Sequence, residues 1–179
     1  MDFQTMSLIN AVSKKTDLCI LSYNSRGFGI IKQEYCRQLT SSAVIGNKIP
    51  ILCNQEHFIL RGNSYRINQA LPNAHIVVKP AVKDSHTKGR PKGGLFIAVP
   101  VYFKNSIQDV SPTYWRLQAV LIKKQGSIIL LINSYFPVDP RTVNIDENEL
   151  SEVFQISEIL FLKTSFLLFF FVVTLTVTF

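Results

Sequence analysis

The sequence predicts an α/β fold on three observations. Short continuous apolar runs of strand length recur at 18–23, 49–53, 94–99 and 127–132. A stretch of helical spacing separates the first two runs. Such runs, unbroken by polar alternation, belong to strands covered on both faces, which is the mark of a layered α/β sheet.

Taken in order, residues 1–16 read as a polar leader, because MDFQTMSLINAVSKK lacks the apolar core of a signal peptide. LCILSY (18–23) is the first strand. Residues 29–43 place Ile30, Ile31, Tyr35, Leu39 and Ala43 at the spacing of an amphipathic helix, and IPILC (49–53) is the second strand. Residues 60–92 read as loop-rich, broken by Pro72, Pro80 and Pro91. GLFIAV (94–99) is the third strand. Residues 114–123 alternate around Trp115, Leu117, Ala119 and Leu121 as a fourth, Gly126 marks a turn, and SIILLI (127–132) is the fifth. Residues 145–160 are acidic with helical spacing at Leu150, Val153, Phe154 and Ser157.

Composition narrows the class. The 179 residues are 47% hydrophobic with a net charge of +7, which excludes a disordered chain, a disulfide scaffold and a multi-span membrane protein. Cys19, Cys36 and Cys53 are too few, and odd in number, for a disulfide framework. They indicate a reducing, intracellular location, nuclear or cytoplasmic. The charge is regional: from Arg61 to Lys104 there are eight basic residues and one acidic, Asp84, so this stretch holds the whole excess. Seven of the 13 Phe fall in 151–179, an apolar tail.

Three strands end in polar residues. Leu18–Tyr23 runs into Asn24, Ser25 and Arg26. Ile49–Cys53 runs into Asn54, Gln55, Glu56 and His57, and Ser127–Ile132 into Asn133, Ser134 and Tyr135. Ligands of open α/β sheets bind outside the carboxyl ends of strands, so Asn24, Glu56 and Tyr135 are candidates for one site. Glu56 is a hard oxygen ligand suited to Mg²⁺. Asn24 and Tyr135 offer hydrogen bonds to a phosphate. Polar residues also follow strands simply because strands meet solvent there, and that reading stays open for each residue taken singly.

The ordered set LSYNSRGFG (21–29), ILCNQEHFI (51–59), KGRPKGGLFIAV (88–99), RLQAVLI (116–122) and ILLINSYFPVDPR (129–141) resembles the amino-terminal part of an endonuclease/exonuclease/phosphatase domain. Its closest flavour is the apurinic-like endonuclease of non-LTR (LINE-type) retrotransposons. The resemblance implies a partial four-layer α/β sandwich over 17–160, and an activity of Mg²⁺-assisted hydrolysis of DNA phosphodiesters. It implies Asn24 and Tyr135 as catalytic residues and Glu56 as the metal ligand. Gly89, Arg90, Gly93 and Gly94 match a Gly-Arg-Pro-x-Gly-Gly stretch, in which the glycines serve a tight turn and close backbone approach. The family's later Gly-Asp-x-Asn and Ser-Asp-His motifs have no counterpart here, so the chain is expected to be a truncated, inactive domain. His57 is read as a partner for a backbone or loop group rather than a general base.

Arg26, Lys88, Arg90 and Lys92 are the candidate nucleic-acid contacts, since Lys and Arg that neutralise phosphates give salt-sensitive, sequence-independent binding. A non-catalytic nucleic-acid-binding fragment is the alternative function. No small-molecule cofactor is indicated. The tail, 161–179, has three readings. From Thr164 to Phe179, 11 of 16 residues are Phe, Leu or Val, and Lys163 would stand at the edge of a membrane anchor spanning 159–179. The alternation Val173 to Phe179 is instead a strand pattern. A frameshift, an unspliced intron or a decayed copy would make the tail a non-native continuation.

Overall fold

The computed structural model describes residues 7–9, 18–41, 48–83, 89–124, 127–138, 151, 155, 158 and 168–177. The fold is α/β with two sheets. Strands β1 (Ser7–Ile9), β2 (Leu18–Asn24), β3 (Ile49–Gln55), β4 (Ala74–Lys79) and β5 (Leu95–Pro100) form the first, in the order β1-β2-β3-β5-β4. Strands β6 (Ile107–Asp109), β7 (Leu117–Lys124), β8 (Ser127–Val138) and β9 (Leu168–Val177) form the second, in that order. Helix α1 (Ile30–Leu39) joins β2 to β3, and α2 (Tyr65–Ala70) precedes β4.

Strand β2 runs parallel to β3 in a register that sets Asn24 opposite Gln55. The β2-α1-β3 unit thus brings the carboxyl ends of both strands to one edge of the sheet. Strand β5 is antiparallel to β3, so its start, Leu95, also lies there, opposite Gln55.

Period-two alternation explains why the runs are apolar throughout. One face of the first sheet, with Cys19, Leu21, Leu52, Phe96 and Ala98, packs on Cys36 and Leu39 of α1 and on Ile67 and Ala70 of α2. The other face, with Leu18, Ile20, Ile51, Cys53, Ile97 and Val99, packs on Val120, Ile122, Ile129 and Leu131 of the second sheet. Each such aliphatic side chain contributes about 1.5–3 kcal/mol by leaving water. A third apolar cluster, Leu117, Ala119, Leu121, Leu130 and Ile132, lies on the second sheet's outer face. The three cysteines are free and buried, and burial pushes the Cys36 and Cys53 thiols up to about 12. Arg37 ties the helices together by donating to the Ala70 carbonyl from Nε at 3.2 Å and Nη2 at 3.1 Å.

The structure departs from the sequence expectations in several places. Within the supposed leader, Ser7–Ile9 pairs antiparallel with β2. The loop-rich 60–92 stretch contains α2 and β4, because Pro72 and Pro80 fall just beyond those elements and punctuate them rather than prevent them. On α1, Ile30 and Ile31 are exposed and the buried residues are Cys36 and Leu39; Ala43 lies outside the described residues. The fourth strand begins at Leu117, after Trp115. Gly126 lies outside the described residues, as does most of 145–160, where Ser151, Gln155 and Glu158 are helical and exposed. In the tail, 168–177 form a strand parallel to β8, which agrees with the strand reading of that segment. Among the described residues no helix is long and apolar enough to cross a membrane.

Candidate functional site

The site stands at the carboxyl ends of β2 and β3 and on β8. Asn24 closes β2 with a tight turn: its Oδ1 accepts from the Arg26 amide at 3.0 Å. Ser25 Oγ donates to Asn54 Oδ1 at 3.1 Å and to the Gln55 carbonyl at 3.0 Å. The Gly27 amide donates to the Glu56 carbonyl at 2.6 Å, so the turn after β2 is bonded directly to the residue after β3.

Backbone strain concentrates here. Arg26, Glu56 and Phe58 hold φ of 44°, 56° and 58°, the left-handed region that costs non-glycine residues about 1–3 kcal/mol each. Strained non-glycine positions of this kind cluster at functional sites. Glu56 is buried, with a relative exposure of 7%. Its Oε1 accepts from Tyr135 Oη at 2.7 Å, while its Oε2 is buried with no hydrogen-bond partner. Burial is the largest cause that raises the Tyr135 phenol, followed by the hydrogen bond to Glu56, so Tyr135 remains a protonated donor.

Below this pair a polar link joins the two sheets. Gln55 Nε2 donates to Asn133 Oδ1 at 2.6 Å, and Asn133 Nδ2 donates to the carbonyls of Asn54 at 3.2 Å and Phe96 at 3.4 Å. The link sets the register in which Tyr135, two residues beyond Asn133 on the same face of β8, reaches Glu56.

Several cations stand near the Glu56–Tyr135 pair. Lys32 donates to the Ser25 carbonyl and, at 3.4 Å, to that of Arg26. Burial first, then the charges of Arg26 and Arg90, lower its pKa, and Glu56 opposes them. Arg90 lies over the Phe58 ring at 4.7 Å. Arg116 stacks on Trp115 at 4.4 Å, and its carbonyl accepts from the Tyr135 amide at 3.2 Å.

His57 is part of the scaffold. Its Nδ1 accepts from the Ile59 amide at 2.9 Å, which leaves Nε2 to donate to the carbonyls of Lys79 at 3.2 Å and Leu95 at 3.3 Å. Burial pushes it down to about 4 despite those carbonyls, so the ring is neutral. The Gly-Gly pair exists for close approach. A methyl on Gly93 would meet the Trp115 ring at 2.5 Å, and one on Gly94 the His57 ring at 2.6 Å, with φ of +67° and +91° respectively. Gly89, grouped with them in sequence, meets nothing within 4 Å, so close approach does not explain it.

Of the sequence candidates, Asn24, Arg26, Glu56, Arg90 and Tyr135 come together. Lys92 is exposed and pairs through its backbone with Val82, and Lys88 lies outside the described residues. Lys32 and Arg116 were missed. The signal for Lys32 was its place in the first turn of the helix that leaves the β2 end. Among the described residues no group of three or more His, Cys, Asp or Glu could hold a metal. A single carboxylate with one unpartnered oxygen nevertheless fits Mg²⁺, which uses one or two carboxylates and completes its shell with water and phosphate oxygens.

No family model matches this chain, and no curated protein does. Solved structures similar to it include the AP endonuclease LMAP from Leishmania major, at 13% identity and a TM-score of 0.47 over 72% of this chain and 45% of that one, and the Xenopus laevis APE2 catalytic domain, at 13% identity and a TM-score of 0.41 over 69% of this chain and 46% of that one. The chain spans less than half the length of either.

Proposed function

We propose that this chain carries the metal- and phosphate-binding part of a DNA phosphodiesterase site, of the endonuclease/exonuclease/phosphatase type found in LINE-type retrotransposons, and that on its own it binds DNA without cleaving it. The observation that supports this most is the Glu56 carboxylate, buried and strained, with one oxygen fixed by Tyr135 and the other without a partner. The retrotransposon assignment rests on the ordered sequence motifs alone.

In this reading Glu56 Oε2 would hold Mg²⁺, and Tyr135 orients the carboxylate by donating to Oε1. The ion, when bound, neutralises phosphate charge and polarises the phosphoryl oxygen. Arg26, Lys32 and Arg90 bind the flanking phosphates. The Asn24 turn fixes the Arg26 backbone beside the residue after β3, with the Arg26 charge within reach of Tyr135.

The non-cleaving part is supported by the histidines. A general base needs a reachable ring nitrogen with a pKa near the working pH. Among the described residues, His57 is neutral and committed on both nitrogens, and His75 lies opposite Val99, at the other end of β5 from Leu95; His86 lies outside them.

A filter-binding titration with duplex DNA tests the reading. Affinity falls steeply as salt rises, replacing Arg26 or Arg90 by Ala lowers the salt slope by about one each, and supercoiled plasmid stays intact with Mg²⁺. Affinity flat with salt would overturn the DNA reading. Nicking of the plasmid that Glu56→Gln removes would overturn the non-cleaving part alone.

A further inference from the structure

Two large apolar side chains on α1 are where burial rewards nothing. Ile30 and Ile31 are 84% and 86% exposed, in the first turn of a helix whose buried residues are Cys36 and Leu39. β-branched residues are also poorer helix formers than the unbranched polar residues that suit a solvated turn. A single exposed Ile needs no explanation, but two in succession on the turn that carries Lys32 break the local rule at a site already marked by strain.

Their surroundings are cationic. Exposed Arg26 precedes Ile30 by four residues, and Lys32 follows Ile31. Lys32 lies within electrostatic reach of Arg26, Arg90 and Glu56. The acidic residue of the helix, Glu34, is paired with Arg37. An apolar pair rimmed by cations complements an anionic partner with an apolar interior. A lipid surface is one such partner, but it calls for a long apolar face. Beyond Ile31 the exposed or half-exposed positions of α1 are Lys32, Gln33, Glu34, Tyr35, Arg37 and Gln38. A duplex calls for a narrow protrusion beside phosphate-binding cations, since Ile and Leu side chains inserted at a base step unstack and kink it.

We propose that Ile30 and Ile31 form an apolar wedge that enters the base stack of a duplex whose phosphate lies at Glu56. The wedge rests on the nucleic-acid reading of the site. It adds a mode of recognition beyond phosphate contact, the insertion of two named aliphatic side chains at a base step.

The test uses the full chain and a short duplex carrying 2-aminopurine, whose fluorescence rises when it is unstacked. Wild-type protein binds and brightens the probe. The Ile30→Ser/Ile31→Ser variant binds about tenfold more weakly, without brightening and with an unchanged salt slope, because the phosphate contacts persist. Both positions are exposed, so the fold is not at stake, and Ile30→Leu/Ile31→Leu retains binding and brightening. Wild-type binding without brightening, or a Ser variant that binds and brightens like wild type, overturns the wedge and leaves the DNA reading standing. No wild-type binding to the duplex overturns both. Capture of wild type by phosphatidylserine vesicles that the Ser variant loses, with duplex binding equal in the two, reassigns the pair to a membrane surface and also overturns the wedge.

Discussion

Gln55 and Asn133 form a direct side-chain bond between the two sheets beneath the site, Nε2 to Oδ1 at 2.6 Å, and both residues are fully buried. Asn133 further donates to two carbonyls of the first sheet. Buried hydrogen bonds lost without replacement cost about 1–3 kcal/mol, and Asn133→Ala removes three of them, although Gln55 Nε2 keeps Ser22 Oγ at 3.2 Å and the Cys53 carbonyl at 3.3 Å. The expected loss is about 2–4 kcal/mol in urea unfolding. A loss inside the range of a surface substitution would show that the link does not hold the sheets.

Tyr135 and Glu56 should be energetically coupled. Tyr135→Phe leaves a second buried carboxylate oxygen unbonded, and Glu56→Gln removes the charge that makes the bond strong. A double-mutant cycle on unfolding free energy should give a coupling of about 1–3 kcal/mol. Additive effects would mean that the 2.7 Å bond is not formed in solution.

His57 should make stability depend on pH in one direction. Its folded value, about 4, lies below the ordinary 6.5. Between those values the unfolded chain binds more protons. Stability is therefore complete above 6.5 and declines as pH falls toward 4, at up to about 1.4 kcal/mol per pH unit. Ring NMR signals that hold their neutral positions from pH 7.5 down to 5.5 would bear this out. A titration midpoint near 6.5 would contradict it.

The two kinds of glycine in 89–94 should separate on substitution. Gly94→Ala combines φ +91° with a ring at 2.6 Å, and is expected to cost at least about 2 kcal/mol. Gly89→Ala meets open space and should stay within about 0.5 kcal/mol of wild type. Equal effects would place the requirement elsewhere than in the His57 contact.

Much of this was legible in the residues. The apolar runs located β2, β3, β5 and β8 because strands buried on both faces leave no polar alternation to misread. Polar strand ends pointed to Asn24, Glu56 and Tyr135, and the register of β2 on β3 brings the first two together. What was not legible depended on tertiary context. Helix α2 is only six residues long and β4 is half-buried, so Pro72 and Pro80 dominated that stretch. The exposure of Ile30 and Ile31 contradicts amphipathic spacing and could not be read from it. Arg116 joined the site through folding alone, within electrostatic reach of Tyr135, whereas Lys32 was signalled only by its place in the first turn of α1.

In the proposed reading, Glu56 holds a divalent cation together with a DNA phosphate. Duplex affinity should be measured with Mg²⁺ and with EDTA for wild type and Glu56→Gln. Mg²⁺ is expected to tighten wild-type binding and leave Glu56→Gln unchanged, while both keep salt-sensitive binding in EDTA. Equal tightening of both proteins by Mg²⁺ would contradict it.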